Sequence, residues 1–193
     1  QGAEVAKSAT ITMDGTNDAP PVAAVLVAGA AEGDAVFTVN LLDGASDLDA
    51  GETATLGVNS VSGLVAGVTL AGNTLSVDPT NAAFDSLAVG DSEVITVNYN
   101  VVDAQGAEVA QSATITIDGT NDAPTVAAVL VAGAAEGDAV FTVNLLGGAS
   151  DLDAGETATL GVNSVSGPVA GVALAGHTLA VCPHKAEFDL LAV

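Results

Sequence analysis

Carboxylates set the chemistry that this sequence can do. The turn Asp47-Leu48-Asp49-Ala50-Gly51-Glu52 recurs as Asp151-Leu152-Asp153-Ala154-Gly155-Glu156, and the heptapeptide Asp14-Gly15-Thr16-Asn17-Asp18-Ala19-Pro20 recurs as Asp118-Gly119-Thr120-Asn121-Asp122-Ala123-Pro124. Glu32 recurs as Glu136, and Asp103 closes a long alternating apolar stretch. Side chains two apart on an extended segment point the same way, so the two aspartates of each Asp-x-Asp can reach one ion. Gly51 permits a tight bend behind them. Calcium takes six to eight oxygen ligands at roughly 2.3–2.6 Å, and carboxylates, backbone carbonyls and the Asn121 amide are such oxygens. Nitrogen and sulfur donors are missing from these clusters, which argues against zinc or copper. Any one such aspartate taken alone reads better as a solvated turn; the recurrence of four acidic features in predicted inter-strand turns favours the ion. The Asp-x-Asp-x-Gly start also resembles a helix-loop-helix calcium loop, but the flanking segments read as strands and the closing glutamate is missing.

Composition points the same way. The chain has 193 residues and a net charge of −22, from 24 acidic residues against Lys7 and Lys185 and no arginine. It repels phosphate backbones and anionic lipid, so nucleic acid and membrane surfaces are excluded as partners. With 49% of residues apolar it is not a disordered acidic tail. Crowded carboxylates on a folded body repel one another unless cations relieve them, which predicts metal-dependent stability. Cys182 is the single cysteine, so no intrachain disulfide can form. The sequence shows no N-terminal signal and no apolar run of about 18 residues.

The elements that must hold these carboxylates are strands. The two heptapeptides begin 104 residues apart, at Asp14 and Asp118, and Val22 through Leu42 recurs unchanged as Val126 through Leu146. A unit of this length can bury its own core. The heptapeptides therefore read as joints between domains, with residues 1–19 a strand and joint of a preceding repeat, 20–122 a complete repeat and 123–193 a truncated one. Strands are predicted over Glu4–Met13 and its copy Glu108–Ile117, over Val22–Val27, over Asp34–Leu42 with Ala35, Phe37, Val39 and Leu41 inward, over Thr53–Val58 with Ala54, Leu56 and Val58 inward, around Val68–Leu70 and Leu75–Val77, and over Ser92–Val102 with Ile95, Val97, Tyr99 and Val101 inward. Gly29–Gly33 is predicted to break the second of these runs. Asp78-Pro79 predicts a helical turn that closes Phe84 and Leu87 onto the core, and Tyr99 is expected to carry its hydroxyl to an edge. About seven short strands with glycine-containing turns predict an all-β chain of tandem antiparallel β-sandwiches. The last two strands of the second sandwich have no counterpart before Val193. The chain is then either a fragment, or Glu4–Met13 of another copy fills part of the gap by strand addition.

The joint Asp118-Gly119-Thr120-Asn121-Asp122-Ala123-Pro124 resembles the linker of cadherin domains, and more closely the Gly-Thr-Asn-Asp-Ala-Pro joint of the bacterial cadherin-like, VCBS-type repeats of giant type I-secreted (RTX-type) adhesins. The similarity extends to Asp151-Leu152-Asp153 and to Asp103-Ala104-Gln105-Gly106. The resemblance implies Ig- or cadherin-like sandwiches whose calcium-binding linkers stiffen a string that holds a distal ligand-binding domain away from the cell. It implies that Asp118, Asn121 and Asp122 share ions with Glu32, Asp151 and Asp153, and that Asp14, Asn17 and Asp18 share ions with Asp47, Asp49 and Asp103. Glu136, the copy of Glu32, is counted with them as a metal candidate. The Asp-Arg-Glu tripeptide of animal cadherins is absent, which leaves the number of ions per joint open.

No catalytic constellation accompanies these features. Cys182-Pro183-His184 with His177 lacks a consistent partner set, since the first repeat has Asp78, Thr80 and Asn73 there. Asp85 and Glu32 could be imagined as paired glycosidase acids, but aromatic residues that would stack on sugars make up 3%. The reading is a non-enzymatic, extracellular, calcium-dependent spacer whose partners are neighbouring repeats. The absence of disulfides fits export as an unfolded chain that folds on meeting calcium. The alternative is a cadherin-like module that binds polysaccharide or another adhesin copy in a biofilm.

Overall fold

The computed structural model describes residues 1–21, 24–126, 129–167 and 170–184. Seven strands run through the first repeat: β1 (Leu26–Ala31), β2 (Phe37–Asn40), β3 (Gly57–Ser62), β4 (Val68–Ala71), β5 (Thr74–Val77), β6 (Ser92–Val102) and β7 (Glu108–Asp118). They form two sheets, ordered β1-β7-β6-β3 and β2-β5-β4. The pairing of β5 with β2 and β4 is antiparallel and in register, with Val77 opposite both Phe37 and Val68. In the pairing of β3 with β6 the register slips between Asn59 and Ser62, a bulge at which Ser60 takes a φ of 52°.

The inward face of β6 is the one its alternation predicts: Ile95, Val97, Tyr99 and Val101 are buried, as are Ala113, Ile115 and Ile117 of β7. Leu41, Leu56, Val68, Leu75, Val77 and Phe84 complete an all-β sandwich core. The second repeat supplies β8 (Thr125–Val126), β9 (Phe141–Asn144), β10 (Ala149–Ser150), β11 (Val172–Ala175) and β12 (Thr178–Val181). These pair as β11-β12-β9, which copies β4-β5-β2, and as β8-β10.

Several local expectations are corrected. Glu4–Met13 is irregular and exposed, although its copy is β7; a strand is made by its neighbours, and among the described residues this strip pairs with none. Thr53–Thr55 belong to a 3-10 turn, Glu52–Thr55, so Ala54 is exposed and the strand begins only at Gly57. Gly51, at φ 90°, sends the chain into that turn. β1 runs straight through Gly29, since β7 lies so close that a Cβ on Gly29 would sit 2.9 Å from the Thr116 carbonyl oxygen. Ala35 is exposed. The helical turn expected after Asp78 is a run of turns, with bonds from Phe84 N to Asn81 O and from Leu87 N to Phe84 O; Phe84 is buried as expected. The Tyr99 hydroxyl does not reach an edge: it is buried with no hydrogen-bond partner, and burial raises its pKa. Residues 22–23 of the Val22–Val27 run and residues 185–193 lie outside the described residues.

The chain gathers into two compact units. One comprises Gln1–Gly29, Val36–Asp78 and Val94–Thr116; the other comprises Ala30–Ala35, Pro79–Glu93 and Ile117–Val193. Among the described residues no helix is long and apolar enough to cross a membrane.

Candidate metal centres

Each unit builds one acidic cluster, and local side-chain bonds shape both in the same way. Asp47 Oδ1 accepts the amide of Asp49 at 2.8 Å, and Thr53 Oγ1 accepts the amide of Asp47 at 2.8 Å. In the copy, Asp151 Oδ1 accepts the amide of Asp153 at 3.1 Å and Thr157 Oγ1 accepts that of Asp151 at 2.8 Å. These bonds curl the Asp-x-Asp segment, and the 3-10 turn behind it returns a glutamate to the pair. Carboxylate oxygens of Asp47, Asp49 and Glu52 lie within 4.8 Å of one another, as do those of Asp151, Asp153 and Glu156. Both triads could hold a metal ion.

The joints reach these turns by equivalent bonds. The Asp18 amide donates to Asp49 Oδ2 at 2.9 Å, and the Asp122 amide donates to Asp153 Oδ2 at 2.9 Å. In the first unit the Asn17 amide group donates to Asp103 Oδ2 at 2.9 Å, while Asp103 Oδ1 accepts the amides of Gln105 and Ala107. The Asn17 bond, then those backbone bonds, hold the Asp103 carboxyl below its ordinary pKa although the residue is buried. Gln105 bonds Glu52, whose pKa is raised by burial and by Asp47, Asp49 and Asp103. A groove of about 310 Å³ lies between Asn17, Asp49, Glu52 and Gln105.

In the second unit Glu32 is drawn in from the repeat before. Its amide donates to the Asp118 carbonyl at 2.8 Å, and its Oε2 accepts the Thr120 amide at 3.2 Å. Burial raises its pKa, Thr120 offsets part of that, and Asp122, Asp85 and Asp153 raise it further. Asp122 is raised likewise by burial, then by Asp153, Asp85 and Asp151. Asp153 itself is 2% exposed.

A cation fits these residues on two counts. The donors are all oxygen, and four carboxylate oxygens, Asp47 Oδ2, Glu52 Oε2, Asp122 Oδ2 and Asp153 Oδ1, are buried with no hydrogen-bond partner among the described residues. Buried anionic oxygens without partners are strongly unfavourable, and a bound cation is the ordinary remedy.

The structure thus brings together Asn17, Asp18, Asp47, Asp49 and Asp103 in one unit, and Glu32, Asp122, Asp151 and Asp153 in the other. Asp118 takes part through its backbone carbonyl, and its side chain is exposed. The Asn121 amide group donates to the Asp122 carbonyl at 2.6 Å. Asp14 is exposed, and Glu136 lines a cavity with Phe141 and Pro183. Sequence reasoning placed Glu52 and Glu156 in the acidic turns but left them out of the ligand sets, and it missed Asp85 as a third charge facing Glu32 and Asp122. Glu52 follows Asp49 by three residues, the spacing a 3-10 turn stacks; for Asp85 there was no local signal.

His177 has a structural task. Its Nδ1 accepts the Val162 amide at 3.2 Å, as Asn73 Oδ1 accepts the Val58 amide at 3.2 Å, and its carbonyl accepts the Leu145 amide as that of Asn73 accepts Leu41. The drift from Asn to His keeps an acceptor in place.

No protein-family model matches the chain, and none of the curated proteins matches it. Among solved structures it is similar to the protocadherin GammaB4 extracellular domain, at 15% identity and a TM-score of 0.39, over 85% of this chain and 29% of that one.

Proposed function

We propose that this chain is a calcium-stabilised extender: non-enzymatic β-sandwich repeats of a bacterial surface adhesin that hold a distal binding domain away from the cell. The observation that carries the reading is the duplicated tie between joint and acidic turn, Asp18 to Asp49 and Asp122 to Asp153, each beside partnerless buried carboxylate oxygens. A spacer needs a core and stiff joints, and these are the features the chain repeats. The bacterial and surface assignment rests on the likeness of the joint sequence to adhesin repeats.

Asp47, Asp49 and Glu52 would hold one cation with Asn17, Asp18 and Asp103 around them. Asp151, Asp153 and Glu156 would hold another with Glu32, Asp85, Asn121 and Asp122. A bound divalent cation supplies the positive charge that lets these carboxylates stay ionised side by side. The residues do the rest: the Asp49 and Asp153 carboxylates grip the joint amides, and the Glu32 carboxylate grips the Thr120 amide, so the joint can no longer swing as a free linker.

Calorimetric calcium titration of the full chain tests this. Binding in at least two sets is expected, with dissociation constants on the order of 0.1–1 mM, as in extracellular modules. Asp49→Asn should remove one set and Asp153→Asn the other. Absence of binding at millimolar calcium, or binding that both changes leave intact, overturns the assignment.

A further inference from the structure

The joint that follows β7 is held from two sides, and only one of them is made of carboxylates. On the acidic side the Thr120 and Asp122 amides donate to the Glu32 and Asp153 carboxylates. On the other side the bonds run from backbone amide to backbone carbonyl. Gly119 N donates to Asp91 O at 3.0 Å, and Ala154 N donates to Ser86 O at 3.2 Å. Both acceptors belong to the run of turns between β5 and β6 in the first repeat, whereas Ala154 sits in the acidic turn of the second.

These turns are fixed from within. Phe84 is buried and pins them to the core. Asn81 Oδ1 accepts the Ala83 amide and Asn81 O that of Phe84; Phe84 O accepts the Leu87 amide, and Ala88 O that of Asp91. The carbonyls of Ser86, Leu87, Ala88 and Asp91 are left facing the joint. A Cβ on Gly119 would sit 2.3 Å from Leu87 O and 2.4 Å from Ala88 O. Gly119 is not among the glycines with positive φ, so this close approach, not an unusual backbone conformation, is what requires glycine there.

Crowded carboxylates push their carriers apart when no cation is bound. Amide-to-carbonyl bonds carry no net charge and need no ion to form. We infer that the carbonyl row of the Asn81–Asp91 turns is a docking surface for the acidic turn of the following repeat. It seats Gly119 and Ala154 with no ion bound, so a cation enters a joint already in register instead of gathering a loose one. The partner it fits is a backbone with a free amide directly after an Asp-x-Asp pair and a glycine in second place of the joint heptapeptide. Both features belong to the repeated sequence, at Ala50 and Ala154 and at Gly15 and Gly119. A joint seated in advance spares cation binding the entropy of ordering the linker. The seat does not rest on the calcium reading, since its bonds involve no carboxylate.

Native-state hydrogen exchange of the full chain in excess chelator, followed residue by residue by NMR, tests the inference. The Gly119 and Ala154 amides should exchange at least about 100-fold more slowly than unstructured amides. Gly119→Ala crowds the carbonyl row, and it should speed exchange at Ala154 by about tenfold more than at Tyr99 and Val101 of β6, which separates loss of the seat from general loss of stability. Unprotected exchange at either amide in chelator, with or without protection in β6, would overturn the inference. So would a Gly119→Ala effect at Ala154 no larger than that in β6. Failure of the calcium titration would leave these outcomes standing, and unprotected exchange at Ala154 would leave the metal centres standing.

Discussion

Ile115 and Ile11 sit in the same local sequence, Ser-Ala-Thr-Ile-Thr, and differ only in what surrounds them. Ile115 is fully buried between Ala113 and Ile117 on the inward face of β7, whereas Ile11 is 85% exposed. Ile115→Ala removes buried methyl and methylene groups worth about 0.8 kcal/mol each in transfer. It also leaves a cavity, and large-to-small changes at such positions cost about 2–5 kcal/mol in all. Ile115 and its inward neighbours on β7, Ala113 and Ile117, are all fully buried, which leaves little room to collapse and places the loss at about 3–4 kcal/mol. Ile11→Ala should stay within ~0.5 kcal/mol, as exposed substitutions do. Urea unfolding in excess calcium, at the lowest workable protein concentration, measures both. The chain has one tyrosine and no tryptophan, so Tyr99 fluorescence reports on the β6 core alone. With a slope of about 1 kcal/mol per molar urea, the Ile115 variant's midpoint should fall by about 3 M. Equal losses at the two sites would refute the claim that pairing, rather than local sequence, decides where this core forms.

Three further outcomes follow from the same structure. Glu32 and Asp122 are raised above their ordinary values of 4.5 and 3.8, so they favour the folded state when protonated and that contribution is lost as pH rises through their folded values. In chelator, melting temperature should therefore fall as pH rises from about 4.5 toward neutrality, and saturating calcium should abolish the fall; a rise over that window would contradict the charge arrangement. Asp103, held low, acts oppositely, but only below 3.8. Gly119→Ala puts a Cβ 2.3 Å from Leu87 O and 2.4 Å from Ala88 O and should destabilise by about 1–3 kcal/mol, while Gly15→Ala, with open space around it, should be neutral to ~0.5 kcal/mol in the same melts. Tyr99→Phe removes a buried hydroxyl that has no partner and should be neutral or stabilising by up to about 1 kcal/mol by circular dichroism; a clear loss would show that the hydroxyl is bonded.

The fold was legible wherever both faces of a strand had fixed surroundings. Ser92–Val102 alternates cleanly because β7 and β3 flank it and one face meets the core. The same logic failed where identical sequence met different neighbours. Leu26–Ala31 is a strand and Leu130–Ala135 is not; Glu108–Asp118 is a strand and Glu4–Asp14 is not. Period-two patterns state which face a strand would bury, not whether a partner exists. Thr53–Thr55 misled for a local reason, since the Asp47–Thr53 bonds and left-handed Gly51 curl the chain where alternation reads extended. At the candidate centres the Asp-x-Asp turns and joints were legible from recurrence. The part of Glu52 and Glu156 in the triads was not, because a strand-based reading does not stack residues three apart, and Asp85 lies in a turn whose relation to Asp122 is set only by the fold.

The central claim is that cations hold these joints, and thermal unfolding in calcium and in excess chelator tests it most directly when repeated with Asp151→Asn and Asp153→Asn together. Relief of like-charge repulsion should leave the double variant at least as stable as the wild type in chelator. Calcium should raise the wild-type melting temperature substantially and the variant's much less. An unchanged melting temperature in chelator, or an equal rise in the variant, would contradict the account.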